Sequence, residues 1–193
     1  MIDRKEIVLA SNNKHKQEEF SNYFQQRVLL PEDLGIDFFA QEDSDTFIGN
    51  ALIKAQSLYN RIHRPVLSDD SGLVISALPD ILGVKSARFL PQLSQAEKNI
   101  EILRLMQHQQ QRQAYFVCAL VLYSGREEFV SVQDIWEGTI STKVMGNFGF
   151  GYDPIFLLND GRCAAELVPQ EKMRVSHRGK ALSKLHKWMI REE

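Results

Sequence analysis

Two adjacent aspartates, Asp69 and Asp70, follow the short apolar run 66–68. Neighbouring carboxylates repel each other unless a cation or hydrogen-bond donors offset the repulsion. Oxygen ligands without a nearby His or Cys suit a hard ion such as Mg²⁺, and Glu42 is a plausible second ligand. An acidic turn closed by Gly72 would contain the same residues, so this motif alone leaves a metal site and a simple turn both open.

The polar segment 11–16 lies between a predicted strand at 7–10 and a predicted helix. The first N–H groups of a helix are unpaired and the helix dipole favours an anion, and two lysines here add positive charge. A phosphate site is therefore predicted, formed by Ser11, Asn12, Asn13, Lys14, His15 and Lys16. An N-cap followed by a solvated basic turn would have the same sequence, and the spacing is not that of a P-loop.

A glycine–aromatic segment consists of Gly149, Phe150, Gly151, Tyr152 and Asp153. Glycines let a backbone approach a ligand closely, and aromatic rings can stack on a nucleotide base. The alternative is an ordinary bulged hairpin whose aromatic side chains belong to the core.

The residues Ser176, His177 and Arg178 stand at the start of the last predicted helix, and Lys172 precedes them. Histidine and arginine can donate hydrogen bonds to a base carbonyl or to a phosphate. A capped helix with surface charge would have the same residues. Taken together, an anion site, a hard-metal site, aromatic rings and base-edge donors indicate an enzyme that acts on nucleoside triphosphates.

The elements that must position these residues follow from the spacing of apolar side chains. Helical spacing predicts one helix over 46–61 and another over 178–190. A capping box at 94–97 predicts the start of a further helix. Short apolar runs predict strands at 7–10, 37–40, 66–68 (continuing to 73–75), 114–123 and 128–136. The last two strands form a predicted hairpin around 124–126. Because helices alternate with strands in the first half and a hairpin dominates the second, we predict an α/β fold with a mixed sheet.

Length and charge restrict the class of protein. The chain has 193 residues, enough for one large domain or two small lobes, and 23 basic against 25 acidic residues give a net charge of −2. Proteins that coat nucleic acid usually carry a basic excess, so we expect no nucleic-acid partner.

Cys118 and Cys163 make no disulfide framework, and the apolar run 114–123 is about half the length of a membrane span. With no signal peptide evident, we expect a cytoplasmic protein that does not bind a membrane.

Six motifs, in order along the chain, resemble those of the inosine/xanthosine triphosphate pyrophosphatases. They are Ser11-x-Asn13-x-x-Lys16, Thr46-Phe47-x-x-Asn50-Ala51-x-x-Lys54-Ala55, Asp69-Asp70-Ser71-Gly72-Leu73, Ser86-Ala87-Arg88-Phe89, the segment 149–156, and Ser176-His177-Arg178. The sequence departs from the pattern of that family at Gly49, where Glu is common, at Leu82, where Pro is common, and at Asn147-Phe148.

The resemblance implies an elongated α/β fold, with a mixed β-sheet flanked by helices and two lobes around a nucleotide cleft. It implies one two-lobed domain over 1–193 and a homodimer. By this resemblance the segment 11–16 holds the triphosphate, Glu42 and Asp70 hold Mg²⁺, and Asp70 accepts a proton from the attacking water. Ser71 would touch the substrate, and the purine and sugar would be surrounded by Phe150, Gly151, Tyr152, Asp153, Lys172, His177 and Arg178.

The implied reaction is hydrolysis of ITP, dITP or XTP to the nucleoside monophosphate and pyrophosphate, which clears deaminated purines from the nucleotide pool. Two other functions stay open. A related pyrophosphatase could act on pyrimidine or modified nucleotides, and a silent protein could bind nucleotides without turnover. The presence of Glu42 and Asp70 argues against the silent protein, because a pure binder needs no carboxylate that activates water.

Overall fold

The computed structural model describes residues 6–191. The chain forms two compact units. The first unit contains the described residues 6–70, 118–134 and 178–191, and the second contains 71–117 and 135–177.

The first unit begins with a short parallel sheet. Strand β1 (Ile7–Val8) pairs with β2 (Val28–Leu29), and helix α1 (Lys14–Phe24) connects them. Leu9 extends β1 by a parallel bridge to Leu67. Helix α2 (Phe47–Ile62) follows. This strand–helix–strand order places the polar segment 11–16 where β1 ends and α1 begins.

A four-stranded sheet has the order β3-β4-β5-β6. The strands are β3 (Val66–Ile75), β4 (Gln113–Gly125), β5 (Glu128–Ile140) and β6 (Phe156–Leu157), and β5 pairs with β6 antiparallel. The turn from β4 to β5 consists of Arg126 and Glu127, whose φ angles of 52° and 64° are left-handed, as in a type I′ hairpin turn.

The remaining helices are α3 (Gln95–Leu105), α4 (Pro169–Val175) and α5 (His177–Arg191). Short 3-10 turns cover Pro31–Leu34, Gly83–Arg88, Asp153–Ile155 and Ala164–Glu166. Helix α3 begins with a capping box, in which Ser94 Oγ accepts from Glu97 N and the Glu97 carboxylate accepts from Ser94 N. This arrangement satisfies two backbone donors that a helix start leaves unpaired.

Each unit has its own apolar core. In the first, Ala51, Ala55 and Leu58 of α2 are fully buried at spacings of four and three, which is one face of a helix, and they pack with Val66 and Val121. In the second, the core consists of Leu73, Ile75, Leu82, Ile102, Met106, Ala114, Phe116, Trp136, Ile140, Tyr152, Ile155, Phe156, Ala164 and Leu167. Each large buried side chain stabilises its unit by about 1.5–3 kcal/mol.

The structure confirms the predicted mixed α/β class, the helix at 46–61, the capping box, the hairpin and the C-terminal helix. The strand predicted at 37–40 is wrong, because no strand forms there. Its carbonyls bond to side chains instead of a neighbouring strand: Asn12 Nδ2 donates to Phe38 O at 2.8 Å, and Arg61 Nη1 donates to Asp37 O at 2.6 Å. Helix α4 was not predicted, although Pro169 is a typical first helical residue.

Candidate active site

Asp69 and Asp70 lie inside β3 and not at its end. Successive side chains of a strand point to opposite faces, so the two carboxylates meet different partners. Both are buried, with exposed fractions of 0% and 6%. Their mutual repulsion is therefore offset by two separate sets of cations, both in the first unit.

Asp69, which is fully buried, is the centre of an ion-pair cluster. It contacts the Lys16 ammonium, and its Oδ2 accepts from Arg178 Nε at 3.2 Å and from the Cys118 thiol at 3.0 Å. Arg178 Nη1 also donates to Glu19 at 2.6 Å. Burial alone would raise the pKa of Asp69, but Arg178 and Lys16 hold that pKa well below its usual range. Asp69 therefore stays ionised as an anchor for two cations.

Asp70 belongs to a second cluster. Lys54 Nζ donates to Asp70 Oδ1 at 2.7 Å and lies 3.3 Å from Glu42 Oε1. Within the described part of the chain, Asp70 Oδ2 is buried and has no hydrogen-bond partner. Burial raises the pKa of Asp70, although the charge of Lys54 opposes the shift. For Lys54, burial acts to lower the pKa, but Asp70 and Glu42 outweigh it and the pKa is raised.

The two aspartates thus have pKa values moved in opposite directions by their surroundings. Such a separation assigns different roles to neighbouring acids. The ion pairs of Asp69 favour its ionised form. Asp70 has the stronger affinity for a proton and a carboxylate oxygen without a partner, which are the properties of a general base.

The start of α1 is capped by its own side chains. Asn13 Oδ1 accepts from His15 N at 3.0 Å and from Lys16 N at 3.3 Å, and Ser11 Oγ accepts from Asn13 N at 3.1 Å. An N-cap, the alternative to a phosphate site that the sequence left open, is present at Asn13. Two of the helix N–H groups that could bind an anion are therefore engaged by Asn13.

The other side chains of the segment 11–16 point to different partners. Asn12 holds the carbonyl of Phe38, and Lys14 forms an exposed ion pair with Glu32 at 3.4 Å. His15 lies 3.9 Å from a carboxylate oxygen of Glu18. Only Lys16 of this segment joins the buried cluster of Asp69 among the described contacts.

In the second unit, Asp153 organises the glycine–aromatic segment. Its Oδ2 accepts from Lys172 Nζ at 2.6 Å and from Phe150 N at 2.8 Å. The Lys172 ammonium also lies 4.8 Å from the centre of the Phe150 ring, a cation–π distance. Gly149 has φ of +75°, and a Cβ there would lie 2.2 Å from Asp153 Oδ2. A glycine is thus required for this loop to close on the carboxylate.

The neighbouring residues of the loop are held from other elements of the second unit. Tyr152 donates to Ser86 O at 2.9 Å, and burial raises the pKa of Tyr152 to about 12. The carbonyl of Gly151 accepts from Asn99 Nδ2 at 3.1 Å. These bonds fix both ends of the aromatic segment.

His177 lies flat against aromatic rings of the second unit. Its ring is 4.8 Å from that of Phe116, with 10° between the planes, and 6.3 Å from that of Trp136. His177 is buried, and Ser71 of β3 is half-buried. The stack fixes the plane of the imidazole ring.

Comparison with known proteins supplies the next observation. The model of the Ham1 family matches residues 7–188. This chain belongs to the Ham1 family.

Relatives within the Ham1 family share most of their length with this chain. A dITP/XTP pyrophosphatase of Legionella pneumophila (strain Paris) is 42% identical over 188 residues, covering 94% of this chain and 96% of the relative. A dITP/XTP pyrophosphatase of Treponema pallidum (strain Nichols) is 46% identical over 184 residues, covering 93% of this chain and 68% of the relative.

Solved Ham1 structures have the same fold. The Staphylococcus aureus Ham1 protein superposes with a TM-score of 0.87 at 32% identity, covering 98% of this chain and all of the other. A HAM1 protein of Coxiella burnetii gives a TM-score of 0.87 at 34% identity, covering 99% of this chain and 100% of the other. In the Ham1 chain described here, no helix within residues 6–191 is both long and apolar enough to cross a membrane.

Sequence analysis missed several residues of these Ham1 clusters. Lys54 appeared only as part of a helix motif, although its place on the apolar face of α2 next to Ala51 and Ala55 is unusual for a lysine. Glu19 and Phe116 carried no signal in the sequence. Their contacts with Arg178 and His177 join residues far apart in the chain.

Proposed function

We propose that this Ham1 protein hydrolyses dITP, ITP and XTP to the nucleoside monophosphate and pyrophosphate, and so removes deaminated purines from the nucleotide pool. One observation carries the proposal. In a chain 42% identical to a dITP/XTP pyrophosphatase over nearly its whole length, a buried carboxylate with a free oxygen, Asp70, lies beside Lys54 and Glu42.

We further propose that Glu42 and Asp70 hold a magnesium ion. Among residues 6–191, no three His, Cys, Asp or Glu side chains are grouped so as to hold a metal ion. Magnesium typically takes only one or two carboxylates and completes its shell with water and substrate phosphates. The unpartnered Asp70 Oδ2 and the Glu42 carboxylate fit that requirement. A bound magnesium ion would neutralise phosphate charge and acidify water.

The proposed chemistry at Asp70 is proton abstraction. Water forms a bond to the α-phosphorus, the bond from that phosphorus to the bridging oxygen of the β-phosphate breaks, and the water proton passes to Asp70. Lys54 donates to Oδ1 and leaves Oδ2 to receive the proton. The raised pKa of Asp70, caused by burial, makes the carboxylate a stronger base.

Lys16 and the other residues of the segment 11–16 are proposed to bind the triphosphate. A lysine ammonium stabilises the charge that develops on a departing pyrophosphate. In the structure Lys16 is held by Asp69, which keeps the ammonium at a fixed place without a phosphate. Ser71, which follows Asp70 in β3, is proposed to touch the substrate as well.

Second-unit residues are proposed to contact the base and sugar: Phe150, Gly151, Tyr152, Asp153, Lys172 and His177, with Arg178 adjoining in sequence. Hypoxanthine and xanthine carry an oxygen at purine position 6, whereas adenine carries an amino group. A donor from His177 or Arg178 pairs with the oxygen and opposes the amino group. A buried mismatch of this kind rejects adenine nucleotides strongly, whereas guanine also carries an oxygen at position 6 and is not rejected by this contact.

The homodimer and the cytoplasmic location are proposed on the family resemblance alone. Light scattering coupled to size-exclusion chromatography measures the mass of the particle. A mass of twice 22.2 kDa supports the dimer, and a mass of 22.2 kDa contradicts it.

A substrate panel tests the proposed reaction. The purified protein is incubated with Mg²⁺ and dITP, XTP, dATP, dGTP, dCTP or dTTP, and the products are separated by ion-exchange chromatography. We expect dIMP and pyrophosphate from dITP, at a rate far above that from dATP or dGTP. Equal rates on all purine nucleotides contradict the proposed specificity. Fast turnover of a pyrimidine nucleotide supports the alternative of a related pyrophosphatase with another substrate. Tight dITP binding without turnover supports the alternative of a protein that binds nucleotides and does not hydrolyse them.

A further inference from the structure

Glu42 lies in a segment, residues 36–46, that contains no helix or strand. Glu42 Oε1 lies 3.3 Å from Lys54 Nζ, which also contacts Asp70, so Glu42 lies beside Asp70. The backbone around Glu42 is not held by strand-to-strand hydrogen bonds like those of β3. The first turn of α2 supplies the missing support through Ser44.

The N-terminus of α2 has an incomplete capping box. Thr46 is the N-cap, and its Oγ1 accepts from Gly49 N at 3.1 Å. In a complete box, a Glu or Gln at the third helical position would accept from the N-cap N–H. That position is Gly49, which has no side chain. The hydroxyl of Ser44 takes over this bond and accepts from Thr46 N at 3.2 Å.

The space above Gly49 is filled by the same serine. A Cβ at position 49 would lie 2.0 Å from Ser44 Oγ and 2.7 Å from Ser44 Cβ. Real Cβ atoms essentially never come closer than 3.0 Å to such neighbours. The position of Ser44 and the absence of a side chain at Gly49 therefore depend on each other.

Asn50 completes the contact. It is fully buried, and its Oδ1 accepts from Ser44 N at 3.0 Å. Asn50 lies one helical turn before Lys54, and both belong to the buried side of α2. Ser44 is thus held at its backbone N–H and at its hydroxyl, two residues from Glu42.

We propose that Ser44, Gly49 and Asn50, here called the Ser44 clamp, are positioning residues that fix Glu42 for the metal. This inference rests on the proposed function of Glu42 as a magnesium ligand. Residues that orient metal ligands typically change metal affinity by about 10- to 100-fold when they are altered. The clamp connects the same helix that carries Lys54 to the loop that carries Glu42.

A double-mutant cycle tests the clamp with Gly49→Ala, Ser44→Gly and the double variant, and Ser57→Ala of α2 serves as the control. Gly to Ala inside a helix ordinarily stabilises it. Here we expect Gly49→Ala to raise the Mg²⁺ concentration for half-maximal dITP hydrolysis by about tenfold. In the Ser44→Gly background the same change should have less than about a twofold effect. The nearest obstructing side chain is then gone, and only the Thr46 hydroxyl, 2.8 Å from the added Cβ, is left to shift.

Two readouts besides activity separate this inference from the proposed function. Hydrogen exchange of the Ser44 and Thr46 amides should accelerate in Gly49→Ala and not in Ser57→Ala, and binding of Mn²⁺ alone, followed by electron paramagnetic resonance, should weaken. Unchanged exchange or an unchanged Mg²⁺ requirement in Gly49→Ala overturns the clamp. A wild-type enzyme that turns over dITP without any divalent ion overturns the metal role of Glu42 as well, while the exchange data still report on the contact.

Discussion

The two units carry polar groups of different kinds. In the first, charged side chains pair with buried carboxylates, as in Lys16–Asp69–Arg178 and in Lys54–Asp70. In the second, one buried ion pair lies among aromatic rings, and His177 stacks on neutral neighbours. Paired charges suit phosphates and a metal ion, whereas flat rings and neutral donors suit a purine. On the proposed function, the chemical step would belong to the first unit and the choice of base to the second.

The free energies contributed by the ion pairs of the first unit and by the stacked rings of the second differ as well. A buried charge depends on its partner, since removing one member of a pair leaves the other without compensation and costs about 3–5 kcal/mol. A pair of stacked rings contributes about 0.5–1.5 kcal/mol beyond the area that it buries. Substitutions in the first unit should therefore have the larger effects.

The largest effect is expected from Asp70→Asn. Loss of the proposed base should lower kcat for dITP by about 10²- to 10⁴-fold, while thermal unfolding still shows a folded protein. Pyrophosphate release measures the loss, and Asp80→Asn, at an exposed position, is the control. Retention of turnover in Asp70→Asn would remove this residue from the mechanism.

A matched pair of lysines tests the importance of burial. Lys54→Met leaves Asp70 and Glu42 facing each other, so urea unfolding should show a loss of about 3–5 kcal/mol. Lys184, whose side chain is 56% exposed, pairs with Asp134 at 2.9 Å. Lys184→Met should lose only about 0–1 kcal/mol. Equal losses in the two variants would contradict the contrast between buried and exposed pairs.

The lowered pKa of Asp69 predicts how the free energy of unfolding changes at acidic pH. Burial alone would raise its pKa, but Arg178 and Lys16 hold it well below the ordinary value of 3.8. A carboxyl with a lowered folded-state pKa adds stability that is complete above the ordinary value and is lost as pH falls towards the folded value. The difference in unfolding free energy between wild type and Asp69→Asn should thus be constant near neutrality and shrink below about pH 4. A difference that does not change down to pH 3 contradicts this account.

Much of the local structure of both units could be predicted from local sequence. The N-caps at Asn13 and Ser94 and the apolar face of α2 depend on residues a few positions apart, and such signals are present in the sequence itself. The proposed site motifs are visible in the sequence because each carries its own chemically distinctive residues. Asp69 and Asp70 were expected at a strand end, whereas β3 continues to Ile75 and turns the two carboxylates to opposite sides.

The partners of those motifs could not be predicted. Arg178 meets Asp69 and Glu19 across 109 and 159 residues of chain, and only the tertiary fold determines such pairs. Phe116 lies in an apolar strand and looks like any core residue, although it stacks on His177. The strand predicted at 37–40 failed for the related reason that distant side chains, from Asn12 and Arg61, satisfy its carbonyls.

The division of roles between the units is tested most directly by the ratio of kcat/KM for dITP to that for dATP. His177→Phe keeps an aromatic ring against Phe116 and removes the N–H donors, and Lys16→Met removes a proposed phosphate contact. We expect His177→Phe to lower the ratio by about tenfold or more, the equivalent of at least one hydrogen bond, and Lys16→Met to lower both rates and leave the ratio unchanged. An unchanged ratio in His177→Phe, or a changed ratio in Lys16→Met, would contradict it.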